Sequence, residues 1–392
     1  MKYICKKNRC TGCGLCADKC PIHCISMQAI DNKLGHIYPV INQSQCIDCG
    51  ICKKMCPTNY PLEKCEPITA YAGWDKNIEE YKSTTSGGAA SAMGRYIVRR
   101  GGVVYGCVML PGIKVKHIRI TSGADLCNLK GSKYVQSDTS NAYNEALEDL
   151  KKGRTVLFIG TPCQIAAIKK LAGKNGKNLF TVDLICHGVP SLKYLKNHCS
   201  KKIGDIHNVI ARFRGLDGMQ LTLLKINYDG TYREVYKSIL WSDRYKDTYL
   251  NAFFDGYTYR ESCRTCQYAC KQRISDTIGD FWGLGKKIPF KYDYPYGCSV
   301  LLPSTNKGLE LINGIESEFN LYERTIEEAI NGNDQLRFPF KLTNHIRIFN
   351  LINTCIGIDK AYKICVIDKM IVRKCYRIRC KLSLMYKKLR YK

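Results

Sequence analysis

Long hydrophobic runs are missing from this 392-residue sequence. No uninterrupted apolar stretch approaches the ~18–20 residues that a bilayer-spanning helix needs. The opening MKYICKKNRC has no apolar core segment, so no secretory signal is expected and the chain is read as cytoplasmic, in a reducing compartment. Neither G-x-G-x-x-G nor a P-loop occurs, which removes the ordinary Rossmann nucleotide site and the NTPases. Acidic residues are scarce too: 34 Asp and Glu stand against 61 Lys and Arg. That balance suits a protein handling anionic cofactors. Nucleic acid is not expected, because the basic residues of the body are scattered and no recognition motif accompanies them.

Cysteine, in contrast, is abundant, with 24 in the chain. CTGCGLCADKCP begins at Cys10 and CIDCGICKKMCP at Cys46, an internal duplication at a spacing of 36 residues. The C-x2-C-x2-C-x3-C-P pattern lets three thiolates of one loop reach three corners of a cubane. The fourth cysteine, turned aside at its proline, serves the other cluster. On that scheme Cys10, Cys13, Cys16 and Cys56 hold one 4Fe–4S cluster, and Cys46, Cys49, Cys52 and Cys20 hold a second. Gly14 and Gly50 leave room for the sulfide corners. A tetrahedral zinc site would call for two close pairs instead.

The rest reads as α+β or α/β. A bacterial-ferredoxin-like module occupies residues 1–65, a mixed α/β domain 66–335, and a basic helical extension 336–392. ITAYAGW, VVYGCVML, KVKHIRI, RTVLFIG and NLFTVDLICHG are expected strands. SGGAASAMGRYIVRRGG is a helix stopping at Gly101-Gly102, SNAYNEALEDLKKG a helix capped by Ser140, and TPCQIAAIKKLAG a helix with Pro162 in its first turn. MQLTLLKINYDGTYREVYKSIL is a hairpin turning at Asp229-Gly230. The strand ending at Gly160 and the helix from Pro162 aim free N–H groups into the crevice at a strand's carboxyl end, where α/β sheets bind phosphates. Cys163 in that turn is either a favoured thiolate or a buried structural cysteine.

Together SGGAASA, LKGSKYVQSD (129–138), GTPCQI, DLICHGVPS (183–191) and SDTIGDFWG (275–283) make the chain resemble the beta-subunit family of coenzyme F420 hydrogenases and dehydrogenases, in the branch fused to a two-cluster ferredoxin. The resemblance implies an oxidoreductase with a flavin-binding α/β core, FAD rather than FMN. Such a core exchanges hydride with a deazaflavin or another hydride carrier and electrons with iron–sulfur clusters. It also implies a redox partner protein and, in bacterial relatives of this layout, a link to surface-polysaccharide synthesis. Carried over, Ser86, Gly87, Gly88 and Ala89 line the flavin, Lys133, Tyr134, Gln136 and Ser137 contact its ring or pyrophosphate, and Gly160, Thr161, Gln164 and Asp280 complete the pocket. The alternative is a non-enzymatic electron-transfer subunit docking to a partner enzyme. No catalytic residue is assigned.

SCRTCQYACKQR (262–273) adds a C-x2-C pair, a signature of metal ligands or of a redox dithiol. The resemblance implies Cys163, Cys186, Cys263 and Cys266 as one set, read as a third 4Fe–4S cluster beside the flavin; a zinc-bound or free set is the alternative. Cys270 is particular to this chain. His187 is read either as a neighbour of the flavin or as a core histidine. Residues 369–392 hold ten Lys or Arg and no acid, with apolar residues recurring at Ile371, Cys375, Ile378, Leu382, Met385 and Leu389. That stripe fits a peripheral helix on an anionic membrane or an acidic partner, or one packed on the protein's own body.

Overall fold

The computed structural model describes residues 3–29, 34–215, 218–240 and 247–367. The basic stripe of 369–392 lies outside them. Among the described residues no helix is long and apolar enough to cross a membrane.

The duplicated segment folds as two matching turns. Gly14 at φ 86° and Gly50 at φ 72° precede the short helices α1 (Leu15–Asp18) and α2 (Ile51–Met55). Only glycine adopts that left-handed geometry without strain. An antiparallel pair, β1 (Ile25–Gln28) and β2 (Tyr38–Ile41), runs between the two turns.

The larger body is an eight-stranded mixed sheet. Its strands in chain order are β3 (Ala70–Asp75), β4 (Val103–Leu110), β5 (Lys114–Ile120), β6 (Val156–Gly160) and β7 (Leu179–Leu184). An antiparallel sheet of β8 (Val209–Gly215), β9 (Gly218–Ile226) and β10 (Tyr232–Ile239) intervenes. The main sheet then gains β11 (Asp276–Asp280), β12 (Ser299–Leu302) and β13 (Phe319–Arg324). Spatial order is β13-β3-β12-β11-β7-β6-β4-β5. The neighbours β11, β7, β6 and β4 are parallel, and the remaining pairs are antiparallel.

The helices that frame this sheet are α3 (Ile78–Ser83), α4 (Ala89–Arg99), α5 (Ala142–Lys151), α6 (Pro162–Ala172) and α7 (Leu192–Ile203). Every residue of β6 is buried, as a strand covered on both faces requires. On one face Phe158 packs in a core with Ala146 of α5 and Ile165 of α6. On the other, Leu157 and Ile159 share a core with Met93 of α4 and Ile312. Strand β5 buries Val115 and His117 and exposes Lys114 and Lys116, the alternation of an edge strand with one covered face. The cap of α5 differs from the expectation. Asn141, at φ 69°, occupies the cap, while the Ser140 hydroxyl donates to Asp138 at 2.6 Å. Beyond residue 336 the described helices Asn344–Ile356 and Ile358–Cys365 share a core with Ala252 and Tyr257, so they pack on the body.

The ferredoxin-like module is bolted to the sheet. Tyr143 and Thr139 donate to the Cys13 carbonyl at 3.0 and 2.9 Å, and Gln267 donates to that of Pro57 at 3.2 Å. Leu15 joins the core under α5 and α6, with Cys13 and Met55 against it.

Candidate redox site

The cysteine sets surround cavities. One cavity is lined by Cys10, Cys13, Cys16 and Cys56 together with Cys5, and a second by Cys20, Cys46, Cys49 and Cys52 together with Cys24. This is the crossed arrangement, with the fourth cysteine of each run delivered to the other half. No disulfide joins any described cysteine. Among the described residues no three His, Cys, Asp or Glu side chains converge as a single metal ion requires. Each set of thiols lines a cavity, the layout that a cubane with thiolate corners calls for.

A third cavity lies at the carboxyl ends of β6 and β7. Parallel register sets Gly160 opposite Asp183, so the turns after both strands open on the same side. Cys163, in the first turn of α6, and Cys186, just past β7, line this cavity with Cys263 and Cys266. The lining also includes Thr11 of the ferredoxin-like module but not Cys270. Burial pushes Cys163 up to about 12, against a hydrogen bond with Thr161. Burial likewise raises Cys263 to about 11 and Cys186 well above its ordinary value. The free, reactive thiolate considered for Cys163 is therefore disfavoured, since desolvation outweighs the helix N-terminus. Thiols in so dry a place become anionic when cations bind them, as iron does.

The largest cleft, about 300 Å³, adjoins the third cavity. Ile185, Cys186, His187, Gly188 and Val189 line both, so the two share a wall. The volume is at the small end of cofactor clefts. Ten of the twelve expected flavin residues line it: Ser86, Gly88, Ala89, Lys133, Tyr134, Ser137, Gly160, Thr161, Gln164 and Asp280. Gly87 and Gln136 do not. A Cβ on Gly87 would stand 2.0 Å from the Gly73 carbonyl, so that glycine serves strand packing. Gln136 turns toward the ferredoxin-like module and donates to the Gly12 carbonyl at 3.0 Å.

The cleft wall is held by a chain of polar contacts. Gln164 accepts from the Thr161 N–H at 2.9 Å, closing a capping box on α6, and donates to Ser137 at 2.8 Å. Ser137 meets His117 at 3.2 Å, and the other ring nitrogen of His117 lies 3.1 Å from the Ile159 carbonyl. Burial holds His117 down at about 4, so its ring is neutral. His187 is also lowered by burial, and its ring stands edge-on to Phe254. Lys133 is pushed down to about 8 by burial and donates only to the Leu129 and Lys130 carbonyls, both at 2.8 Å. Arg214 pairs with Asp280 and donates to the Thr85 carbonyl at 2.8 Å. Asp280 thus compensates Arg214, which does not itself line the cleft, and Lys133 is the cation on the wall that also carries the N-terminus of α4.

Several contributors escaped the sequence. Cys5 and Cys24 match no ligand spacing, yet each lines a cluster cavity, and the Cys24 sulfur lies 3.4 Å from that of Cys20. Their only sequence sign is closeness to a ligand run. Arg214, at the end of β8, carries no motif.

The fold and these cavities define an iron–sulfur redox protein with a cofactor-sized cleft in an α/β sheet. Residues 9–60 match the 4Fe-4S dicluster domain, and residues 153–329 match the C-terminal domain of the coenzyme F420 hydrogenase/dehydrogenase beta subunit. The chain is thus similar to a 4Fe–4S dicluster module at one end and, over less than half its length, to the C-terminal domain of that beta subunit. GTPCQI, DLICHGVPS and SDTIGDFWG fall within the matched residues; SGGAASA and LKGSKYVQSD precede them. Among solved structures, a chain of the F420-reducing [NiFe] hydrogenase complex from Methanosarcina barkeri, studied as a xenon derivative, is similar at 18% identity and a TM-score of 0.44. The alignment covers 69% of this chain and 91% of that one. No curated protein matches the sequence.

Proposed function

We propose that the chain is the flavin- and cluster-carrying subunit of an oxidoreductase, exchanging a hydride with a soluble carrier and single electrons with a protein partner. The wall shared by the large cleft and the four-thiol cavity carries this reading. A flavin supplies two-electron and one-electron chemistry at one ring, and iron–sulfur clusters supply one-electron storage.

The chain's residues give each group its place. Cys10, Cys13, Cys16 and Cys56 would hold a first cluster, Cys20, Cys46, Cys49 and Cys52 a second, and Cys163, Cys186, Cys263 and Cys266 a third. Ser86, Gly88 and Ala89 present little side chain where α4 begins, leaving backbone N–H groups open to a pyrophosphate. Lys133 adds positive charge to the cleft lining. Residues 185–189 form a thin partition between cleft and thiol cavity, with neutral His187 on it. Thr161, Gln164, Ser137 and His117 fix the opposite wall by hydrogen bonds rather than by charge.

The test is anaerobic turnover of the whole chain with a hydride donor, either reduced deazaflavin or a reduced nicotinamide, and a viologen dye as acceptor. Dye reduction dependent on added flavin or on the retained one is the expected result. A chain that exchanges electrons with the dye but takes no hydride from either donor would be an electron-transfer subunit only.

A further inference from the structure

Arg260 brings a positive charge into the interior. Its side chain is fully buried, and a guanidinium keeps its proton in proteins. The other buried arginine among the described residues, Arg273, has a carboxylate: it meets Asp183 at 2.6 Å. Arg260 forms no such pair among the described residues. Its donors go to neutral acceptors: the carbonyls of Cys10 at 3.3 Å and Ile37 at 2.7 Å, and the Gln136 side-chain oxygen at 2.8 Å. The guanidinium lies 4.7 Å from the Tyr38 ring centroid, and its Nε has no partner. Carbonyls and a ring solvate a cation without neutralising it, and an uncompensated buried charge is strongly unfavourable.

The position says which anions would compensate it. Arg260 precedes the 3-10 turn Glu261–Thr265 that carries Cys263, whose N–H donates to the Arg260 carbonyl at 3.0 Å. The other end of the side chain reaches the first cysteine loop of the ferredoxin-like module. There a Cβ on Gly12 would stand 2.4 Å from the Arg260 Nη2, so glycine at that position makes room for it. One residue therefore spans from the third thiol cavity to the first. Arg260 lines none of the three cavities itself, but it is bonded to the Cys10 loop of the first and the Cys263 turn of the third, whereas the residues lining the second receive none of its hydrogen bonds.

We propose that Arg260 is the buried countercharge of the first and third clusters and sets their reduction potentials relative to the second. Reduction adds one electron to a core already made anionic by four thiolates. A fixed cation beside it stabilises the reduced form more than the oxidised one, and strongly so where water is excluded. The inference rests on the three-cluster reading given above. Arg260 touches no reacting atom; it is a positioning and tuning residue, and a potential is the quantity it should move.

The experiment is an anaerobic redox titration of the full chain, followed by electron paramagnetic resonance, with wild type, Arg260→Met and Arg260→Lys compared. Signals are assigned with Cys→Ser variants in each set, and the second cluster serves as internal reference. In Arg260→Met, the reduced-to-oxidised ratio of the first and third clusters at a fixed potential should fall about tenfold, equivalent to about 59 mV for a one-electron couple. The second cluster should hold its value, and Arg260→Lys should stay close to wild type. Equal shifts in all three clusters, no shift, or a Lys variant that behaves like Met would overturn the proposal. If Arg260→Met loses iron, the Lys variant decides: a loaded protein with wild-type potentials supports the charge, and an empty one shows that shape alone mattered. A wild-type count of about eight irons instead of about twelve removes the third cluster, and Arg260 is then judged on the first cluster alone.

Discussion

Replacing Cys266 with serine is expected to lower iron by about four per chain, one cubane's worth, while the flavin stays bound. Cys266 is the last residue of the C-x2-C pair and packs with Cys163 against the core under α6, where Cys13 also lies. Serine is nearly the same size, so the core should tolerate the change. What is lost is a soft thiolate corner, and an iron left open to solvent at that corner makes the cluster labile. The large cleft is untouched, because Cys266 lies on the far side of the 185–189 partition and does not line it. Flavin content should stay at the wild-type level while viologen turnover with a hydride donor falls at least about a hundredfold, the upper range for lost metal support. Full iron with full turnover would make Cys263 and Cys266 a structural pair.

The second large effect is expected at Gly88. Gly88→Leu should empty the cleft of flavin and leave the ferredoxin-type signal in place. Gly88 stands at φ 91° as the cap of α4, a conformation that costs an L residue about 1–2 kcal/mol. An added Cβ would also meet the Thr84 side chain at 3.3 Å, which must give by a few tenths of an ångström, and the rest of the leucine side chain would compete for the cleft that Gly88 lines. The ferredoxin-like module is held through Cys13, Arg260 and Gln267, far along the chain from this turn, so its iron should persist. Flavin released by denaturation and measured by fluorescence checks the point. A fully loaded Gly88→Leu protein would put the flavin elsewhere.

The readability of this molecule from its sequence follows from what kind of constraint acts at each place. The spacing of the duplicated runs was legible, and the structure brings Cys10, Cys13, Cys16 and Cys56 to one cavity and Cys20, Cys46, Cys49 and Cys52 to another. KVKHIRI was legible because its burial alternates, and VVYGCVML because it is a short, continuous apolar run, as in a strand covered on both faces. The joining of β3 to β12 and β13 was not, since that pairing spans more than two hundred residues and rests on the long-range register of Ala72 with Val300 and Tyr322. The cap of α5 was misplaced by one residue, because Asn141 and Ser140 are both good capping types and only backbone geometry separates them. Gln136 was assigned to the flavin by its neighbours Lys133, Tyr134 and Ser137. Its side chain instead donates to the Gly12 carbonyl and accepts from Arg260, so it faces the ferredoxin-like module. Arg260 left no trace at all, since its partners, the carbonyls of Cys10 and Ile37 and the side chain of Gln136, lie 250, 223 and 124 positions away.

The presence of three cubanes and one flavin in a single chain is what every expectation above depends on. Its most direct test is the content of anaerobically purified protein, with iron, acid-labile sulfide, zinc and flavin quantified on the same sample. The account predicts about twelve irons, about twelve sulfides and one flavin per chain, with no stoichiometric zinc. Zinc without sulfide, or about eight irons with no flavin after reconstitution, would contradict it.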